Sequence, residues 1–557
     1  MALDDIVLLL QRGLDRLIRR ARLGRSPEST YRRLVVVQID GLSAEVLDRA
    51  LRMGRMPFLR RLMARHGHRR RPLSVGMPTS TPAFQMAAMY GVRPDIPGFH
   101  YHDKRRRMDI HFPRAGHAAM VEEDHIKDRA GAHTGVLAGG SVYGCVFTGG
   151  ADDAMFSFTR LSRPTRRGLL GFLSGGIVVG WVAVKSLALT LREIALVIPR
   201  VIREPGAAKL HWQWLQLQVG ISVWIRQFFT LAVSRDVYAG LPAIYVNFLD
   251  YDVSAHAFGP RSRHAVDSLR GVDSAIRQIW RVIRRVPEYR HDLFVLSDHG
   301  QAVCVDFRSL SGGLPFERVL IEELVGRPTA PAMRGGREPS YRHGLQTYRI
   351  GRPRPDPLPA DPAPDSIHAE SGGREAYQRD GIRVISAGPN AFIYFLDSSE
   401  PLDADEIERR RPGFAPAVAR VPGVGFVLAR SPEGPVIYWR EEIYRLGKGE
   451  AGPFADRPDR EAVLRGITDL MAMRSAGDLV VYGIGAREGN VSYVPEVGAH
   501  AGPSPEELHT FLIQPAGVAD RGPVVHPLEL YDLFAGYQRE RAPRDDAQRK
   551  TARPAPG

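Results

Sequence analysis

Cysteine is nearly absent from this chain: among 557 residues only Cys145 and Cys304 occur. They stand far apart and in no paired spacing, which excludes a disulfide framework and a thiolate metal site. The first residues do not read as a secretory leader. The N-terminus, MALDDIVLLLQRGLDRLIRR, places acidic residues before a short apolar run and basic ones after it. An export signal has the opposite order and a small-residue cleavage site. The expectation is a cytoplasmic protein, with the inner face of the membrane as a peripheral location. No internal repeat is visible, and nothing beyond charge suggests nucleic-acid binding.

What is present fits a large globular protein. The length allows more than one domain, and 44% hydrophobic with 25% charged residues excludes disorder along the whole chain. A net charge of +14 and a pI near 9.9 point to an anionic partner such as phosphate esters, nucleic acid or anionic lipid. The bland alternative is a solvated basic surface, because the arginines are scattered.

Along the chain, residues 1–30 contain an amphipathic helix over 4–23, with Ile6, Leu9, Leu10, Leu14, Leu17 and Ile18 at helical spacing. It packs on the body or lies on a membrane surface. The main domain is expected over 31–537. Its first strand is Leu34–Ile39, ending in Asp40-Gly41, and further strands follow at Ala243–Phe248 and Asp292–Leu296. Strands alternating with helices imply an α/β sandwich of three layers with a mainly parallel central sheet. Residues 160–236 form a hydrophobic helical insertion; within it 168–184 are uncharged and hold five glycines. A single membrane span would separate motifs that must meet, so packing on the body, on a second copy in a homo-oligomer, or into one leaflet fits better. Residues 352–364 read as a Pro-rich surface loop and 383–445 as a small α/β subdomain. The charged tail, 538–557, reads as disordered.

Carboxylate and imidazole ligands of the kind that hold zinc or manganese recur beside strand ends and turns. Asp40 ends the first strand, where open α/β sheets place their sites. Asp252-Val-Ser-Ala-His256 follows the second, Asp298-His299-Gly300 ends the third, and His500 lies in a late turn-rich loop. Each alone is a turn or surface pair more often than a ligand set. Four together in this order are not an accident of composition. Met77-Pro-Thr-Ser-Thr-Pro-Ala-Phe-Gln85 adds hydroxyls just before a helix, with Pro82 suited to its first turn. A hydroxyl there sees free N–H groups and the helix dipole, or else serves as a plain N-cap.

These motifs, in this order from about residue 32 to 515, resemble the alkaline phosphatase superfamily, and within it the type I nucleotide pyrophosphatase/phosphodiesterase branch. The resemblance implies two divalent ions, zinc or manganese. Asp252, His256 and His500 would hold one; Asp40, Asp298 and His299 the other, completed by a nucleophilic Thr81. The chemistry implied is in-line attack by the hydroxyl and hydrolysis of a covalent phospho-enzyme. The pattern departs at the nucleophile. Thr81 keeps the spacing to Gly91 and the upstream Pro78-Thr79, whereas Ser80, the alternative, keeps the spacing to Pro82. The branch's usual Asn after the Pro is replaced by Ala83 and Phe84, and the Arg that sulfatases require is missing. His102 and Lys104 are candidate phosphate contacts.

The resemblance therefore implies a phosphoric ester hydrolase, phosphodiesterase in preference to phosphatase, acting on a small phosphate ester or a lipid head group. A membrane-surface phosphodiesterase or transferase, docking through 4–23 and 160–236, is a second reading. A catalytically silent scaffold is a third, opposed by the complete ligand set.

Overall fold

The apolar run after Arg33 lies at the middle of a seven-stranded sheet. The strands are β1 (Arg33–Ile39), β2 (Arg69–Ser74), β3 (Ser141–Tyr143), β4 (Asp153–Met155), β5 (Ala243–Phe248), β6 (His291–Leu296) and β7 (His509–Gln514). Their order is β2-β7-β6-β1-β5-β3-β4. Neighbours pair in parallel from β6 to β4, and β7 alone runs against the rest. This computed structural model describes residues 31–112, 114–127, 135–155, 218–325, 367–369 and 375–551, with short pieces between 180 and 215. The helix expected over 4–23, the loop 352–364 and most of the insertion lie outside those residues.

Every residue of β1 is buried, as a strand covered on both faces requires. The two-residue period of the strand divides its side chains between two cores. Leu34 and Val36 join Met86 and Phe534 on one face, while Val35 and Val37 join Leu47, Val233 and Ile276 on the other. The helices carrying these residues are α1 (Ala44–Arg52), α2 (Thr81–Tyr90), α3 (Arg226–Ala239), α5 (Arg263–Arg285) and α6 (Leu528–Thr551), and α4 (Asp250–Phe258) adds Tyr251 and Ala255 to the second face. Helices therefore cover the sheet on both sides, giving the three-layer α/β sandwich expected. Helix α5 shows the sequence basis: Val266, Leu269, Val272, Ile276 and Ile279 recur at helical spacing and are buried, while arginines fill the other face.

A second, wholly antiparallel sheet of eight strands spans Ile367–Ala369 to Glu442–Arg445 and takes Leu479–Tyr482 into its centre. It reaches beyond the 383–445 subdomain read from the sequence. Helix α6 likewise continues through residues 538–551, where a disordered tail was expected. Its middle is fastened to the body: Tyr537 donates to Asp292 at 2.7 Å, and Gln538 donates to the carbonyl of Val136 at 2.7 Å.

The register fixes where a site can form. Ile39 pairs with Phe248 and Gln38 with Leu296, so the carboxyl ends of β1, β5 and β6 stand level. Asp40, the start of α4 and Asp298 leave the sheet at that one edge.

Candidate active site

Three carboxylates and three imidazoles meet at this edge. One ligand atom each from Asp40, Asp298 and His299 lies within 4.8 Å of the others, and the same holds for Asp252, His299 and His500. The two groups share His299, whose ring stacks on that of His500 with centroids 3.8 Å apart. His256 stands beside the second group, its Nε2 3.4 Å from Asp252 Oδ1, one helical turn away on α4. His299 and Asp298 are fully buried, while the His256 side chain keeps 27% exposure, so the cluster opens to solvent on the His256 side.

The imidazoles are presented in one tautomer. Nδ1 of His256 lies 2.7 Å from the carbonyl of Gly498, Nδ1 of His299 3.1 Å from that of Gly300, and Nδ1 of His500 2.8 Å from that of Thr79. A carbonyl only accepts, so each Nδ1 bears a hydrogen and each Nε2 is turned to the cluster. Glu496 adds a carboxylate 2.9 Å from Nδ1 of His256. The acids are held in the same manner. Asn247 donates to Asp40 Oδ2 at 2.6 Å, and Gln301 to Asp252 Oδ1 at 2.6 Å. Oδ2 of Asp298, buried, accepts no hydrogen bond.

Electrostatics point the same way. Burial and repulsion from Asp298 and Asp252 push the Asp40 carboxyl well above the usual carboxylate range. Burial raises Asp298 as well. Burial also opposes charge on Asp252 and His256, but their mutual attraction wins, lowering the acid and raising the imidazole. His500 is driven well below the usual histidine range by burial and by His299 and His256. Buried Asp40 and Asp298 and half-buried Asp252, with imidazole Nε2 atoms turned to them, form a donor set that a divalent cation suits, since it replaces protons and relieves the repulsion.

The hydroxyl segment lies against this cluster. Ser80 is the extended residue before α2, and Pro82 sits in the helix's first turn. Thr81 Oγ1 lies 3.1 Å from His299 Nε2 and 3.4 Å from Asp40 Oδ1. The Ser80 hydroxyl is buried with no hydrogen-bond partner. Gly91, in the left-handed conformation that ends α2, is required by space too, since a Cβ there would lie 2.4 Å from the Tyr531 ring. Gly41, which follows Asp40, has φ +73 and leaves no room for a Cβ, which would stand 2.6 Å from Asp252 Oδ1.

The pattern in the sequence thus collects at one place, with two exceptions. Lys104 is bound to both oxygens of Asp478, at 3.0 and 3.1 Å, and to the carbonyl of Glu400. Nδ1 of His102 is 2.8 Å from Asp109. Among the described residues no hydrogen bond or ion pair joins either to the cluster, so neither is placed as a phosphate contact: both side chains are engaged by local acids. Thr79, Asn247, Gln301 and Glu496 were not read as site residues from the sequence. Only Thr79 and Asn247 carried a signal, by their positions in the hydroxyl segment and at the end of β5.

A family comparison decides the assignment. The model of the type I phosphodiesterase / nucleotide pyrophosphatase family matches residues 34–324, just over half of the chain. The chain belongs to that family. As a type I phosphodiesterase / nucleotide pyrophosphatase family member it is a phosphoric ester hydrolase, of a family typically dependent on divalent metal ions. Among solved structures, it is similar to phosphonoacetate hydrolase from Sinorhizobium meliloti 1021 in complex with phosphonoformate, at 13% identity, 93% coverage of this chain, 97% of that one, and a TM-score of 0.43. The complex of that enzyme with phosphonoacetate gives 12% identity, the same coverages and a TM-score of 0.42. No curated protein matches the chain.

Proposed function

We propose that this family member hydrolyses phosphate esters, diesters in preference to monoesters, with Thr81 as nucleophile and two divalent metal ions as cofactors. The observation that carries the reading is the position of Thr81 Oγ1 at the head of α2, 3.1 Å from His299 Nε2 and within reach of Asp40. Asp40, Asp298 and His299 would hold one ion, and Asp252, His256 and His500 the other. Mixed nitrogen and oxygen donors suit zinc, with manganese the alternative. Bound ions supply positive charge that lowers the hydroxyl's pKa and neutralises the phosphoryl oxygens.

The chain's own part is positioning. The first-turn N–H groups of α2 and its dipole face the oxygens of a phosphoryl group beside Thr81. Thr81 Oγ1 attacks phosphorus in line, and the bond to the leaving ester oxygen breaks. Water then cleaves the phospho-Thr81 ester, restoring the hydroxyl and releasing the phosphate product. The Ser80 hydroxyl makes no hydrogen bond to the cluster among the described residues, and Ser80 serves as the extended residue preceding the helix.

The test is an assay of metal-stripped protein on bis-p-nitrophenyl phosphate and p-nitrophenyl phosphate, with zinc or manganese restored. Turnover should need metal, favour the diester, and fall roughly 10³-fold or more in Thr81→Ala. Retained turnover in Thr81→Ala with loss in Ser80→Ala would overturn the assignment of the nucleophile.

A further inference from the structure

The described part of the insertion presents its apolar side to solvent. Residues 183–191, 194–195 and 198 are helical, and Val184, Leu187, Ala188, Leu191, Ala195 and Ile198 are exposed. Val184, Leu187 and Leu191 keep 55–61% of their surface. At the helical turn per residue these positions share a stripe about 100° wide. The polar side faces inward: Ser186 is fully buried, and Thr190 Oγ1 donates to its carbonyl at 2.7 Å and accepts the indole N–H of Trp224 at 3.1 Å. This inverts the pattern of a helix packed on a protein in water, and an apolar stripe of this kind marks a surface that something covers.

Charge and position indicate what covers it. Residues 160–210 contain nine Lys and Arg against Glu193 and Glu204, a net +7 that is half of the chain's +14. Trp224 is itself partly exposed, as an aromatic at a lipid–water boundary is. The π-helical segment that carries it, Gln218–Ile225, leads into α3, where Arg226 ion-pairs with Asp250 at the start of α4. Ile225 packs against the cluster centred on Ala257 of α4. The apolar stripe is therefore tied to the helix that bears Asp252 and His256. Among the described residues no helix is long and apolar enough to cross a membrane.

We propose that this face docks on an anionic lipid surface, lying in its interface and bringing the phosphoester site, as read above, to esters at that surface. The apolar stripe supplies burial among the acyl chains, and the net positive charge of the segment's sequence supplies attraction to the head groups.

The experiment is flotation of the full chain with vesicles of phosphatidylglycerol and phosphatidylcholine, beside vesicles of phosphatidylcholine alone. The wild type should float with the anionic vesicles, less so at high salt. Leu187→Gln with Leu191→Gln should weaken binding roughly tenfold or more. Because both side chains are exposed, the double variant should keep its thermal midpoint and its turnover of bis-p-nitrophenyl phosphate. Absence of wild-type binding to anionic vesicles would overturn the proposal. So would a concentration-dependent dimer, measured by light scattering, that the same substitutions abolish, which would give the face to a second copy. Thr81→Ala should float as the wild type does, so failure of the nucleophile assignment and failure of the docking surface are read separately.

Discussion

Thr79 and His500, 421 residues apart, are joined directly, and a second bond ties Thr79 to the residue after His500. Nδ1 of His500 donates to the Thr79 carbonyl at 2.8 Å, and the N–H of the next residue, Ala501, donates to Thr79 Oγ1 at 3.0 Å. The same hydroxyl donates to the carbonyl of Gly502 at 3.0 Å. Ala501 holds φ at +115, a conformation that L residues rarely adopt. The residue two before Thr81 thus sets the geometry of the loop that delivers the last imidazole.

Thr79→Val keeps the side chain's shape and removes both hydroxyl bonds. A buried N–H on Ala501 would lose its acceptor while the loop stays strained, at a cost of about 1–3 kcal/mol. We expect metal affinity to fall roughly 10- to 100-fold, the range for lost support of a ligand. Equilibrium dialysis against zinc, with urea unfolding of the same protein, measures both. Unchanged affinity would show that the loop holds His500 without Thr79.

That support could not be read from the sequence, and the reason is physical. The ligands themselves follow continuous apolar strands or sit in turn-rich loops, so Asp40, Asp252 and Asp298 were legible as residues at strand ends. Their partners act through contacts made only after folding, such as Asn247 on Asp40 or Gln301 on Asp252. The same division holds for the fold. Strands β1, β5 and β6 are buried apolar runs, whereas β2, Arg-Arg-Arg-Pro-Leu-Ser, has no such run. It is an edge strand, where Pro72 is tolerated, and Arg71 bonds Gln514 at 3.0 Å. Helix α6 persists past 538 because the body accepts hydrogen bonds from it, which a charged composition does not reveal.

The protein should lose stability in mild acid through His291, at the start of β6. Burial and the nearby Arg33 push its imidazole down to about 3. Its Nε2 is 3.2 Å from the Leu241 carbonyl, so a second proton must go to Nδ1, which is buried without an acceptor. The unfolded chain takes up that proton near pH 6.5, and the folded chain does so only near 3. The contribution is therefore complete above pH 6.5 and is lost as pH falls toward 3, at about 1.4 kcal/mol per pH unit. Unfolding free energies by urea between pH 4 and 7 should fall less steeply for His291→Gln than for the wild type. Parallel curves would exclude this group as a source of acid sensitivity.

Asn247 offers the most direct test that the acids at the edge hold a cation. Its amide donates to Asp40 Oδ2 at 2.6 Å and is fully buried at the end of β5. Burial, Asp298 and Asp252 all raise the Asp40 carboxyl, and the Asn247 bond is the leading influence that lowers it. Asn247→Ala removes that donor, so Asp40 should hold its proton to higher pH still. A metal ion must displace that proton to bind. Metal uptake in the variant should therefore shift to higher pH and weaken roughly 10- to 100-fold at neutral pH, with affinity recovering as pH rises. Zinc titration across pH 6 to 9, read by competition with a chelating dye, separates this from simple misfolding, which would lower affinity at every pH alike. An unshifted profile in a folded variant would mean that Asp40 is not protonated in competition with metal.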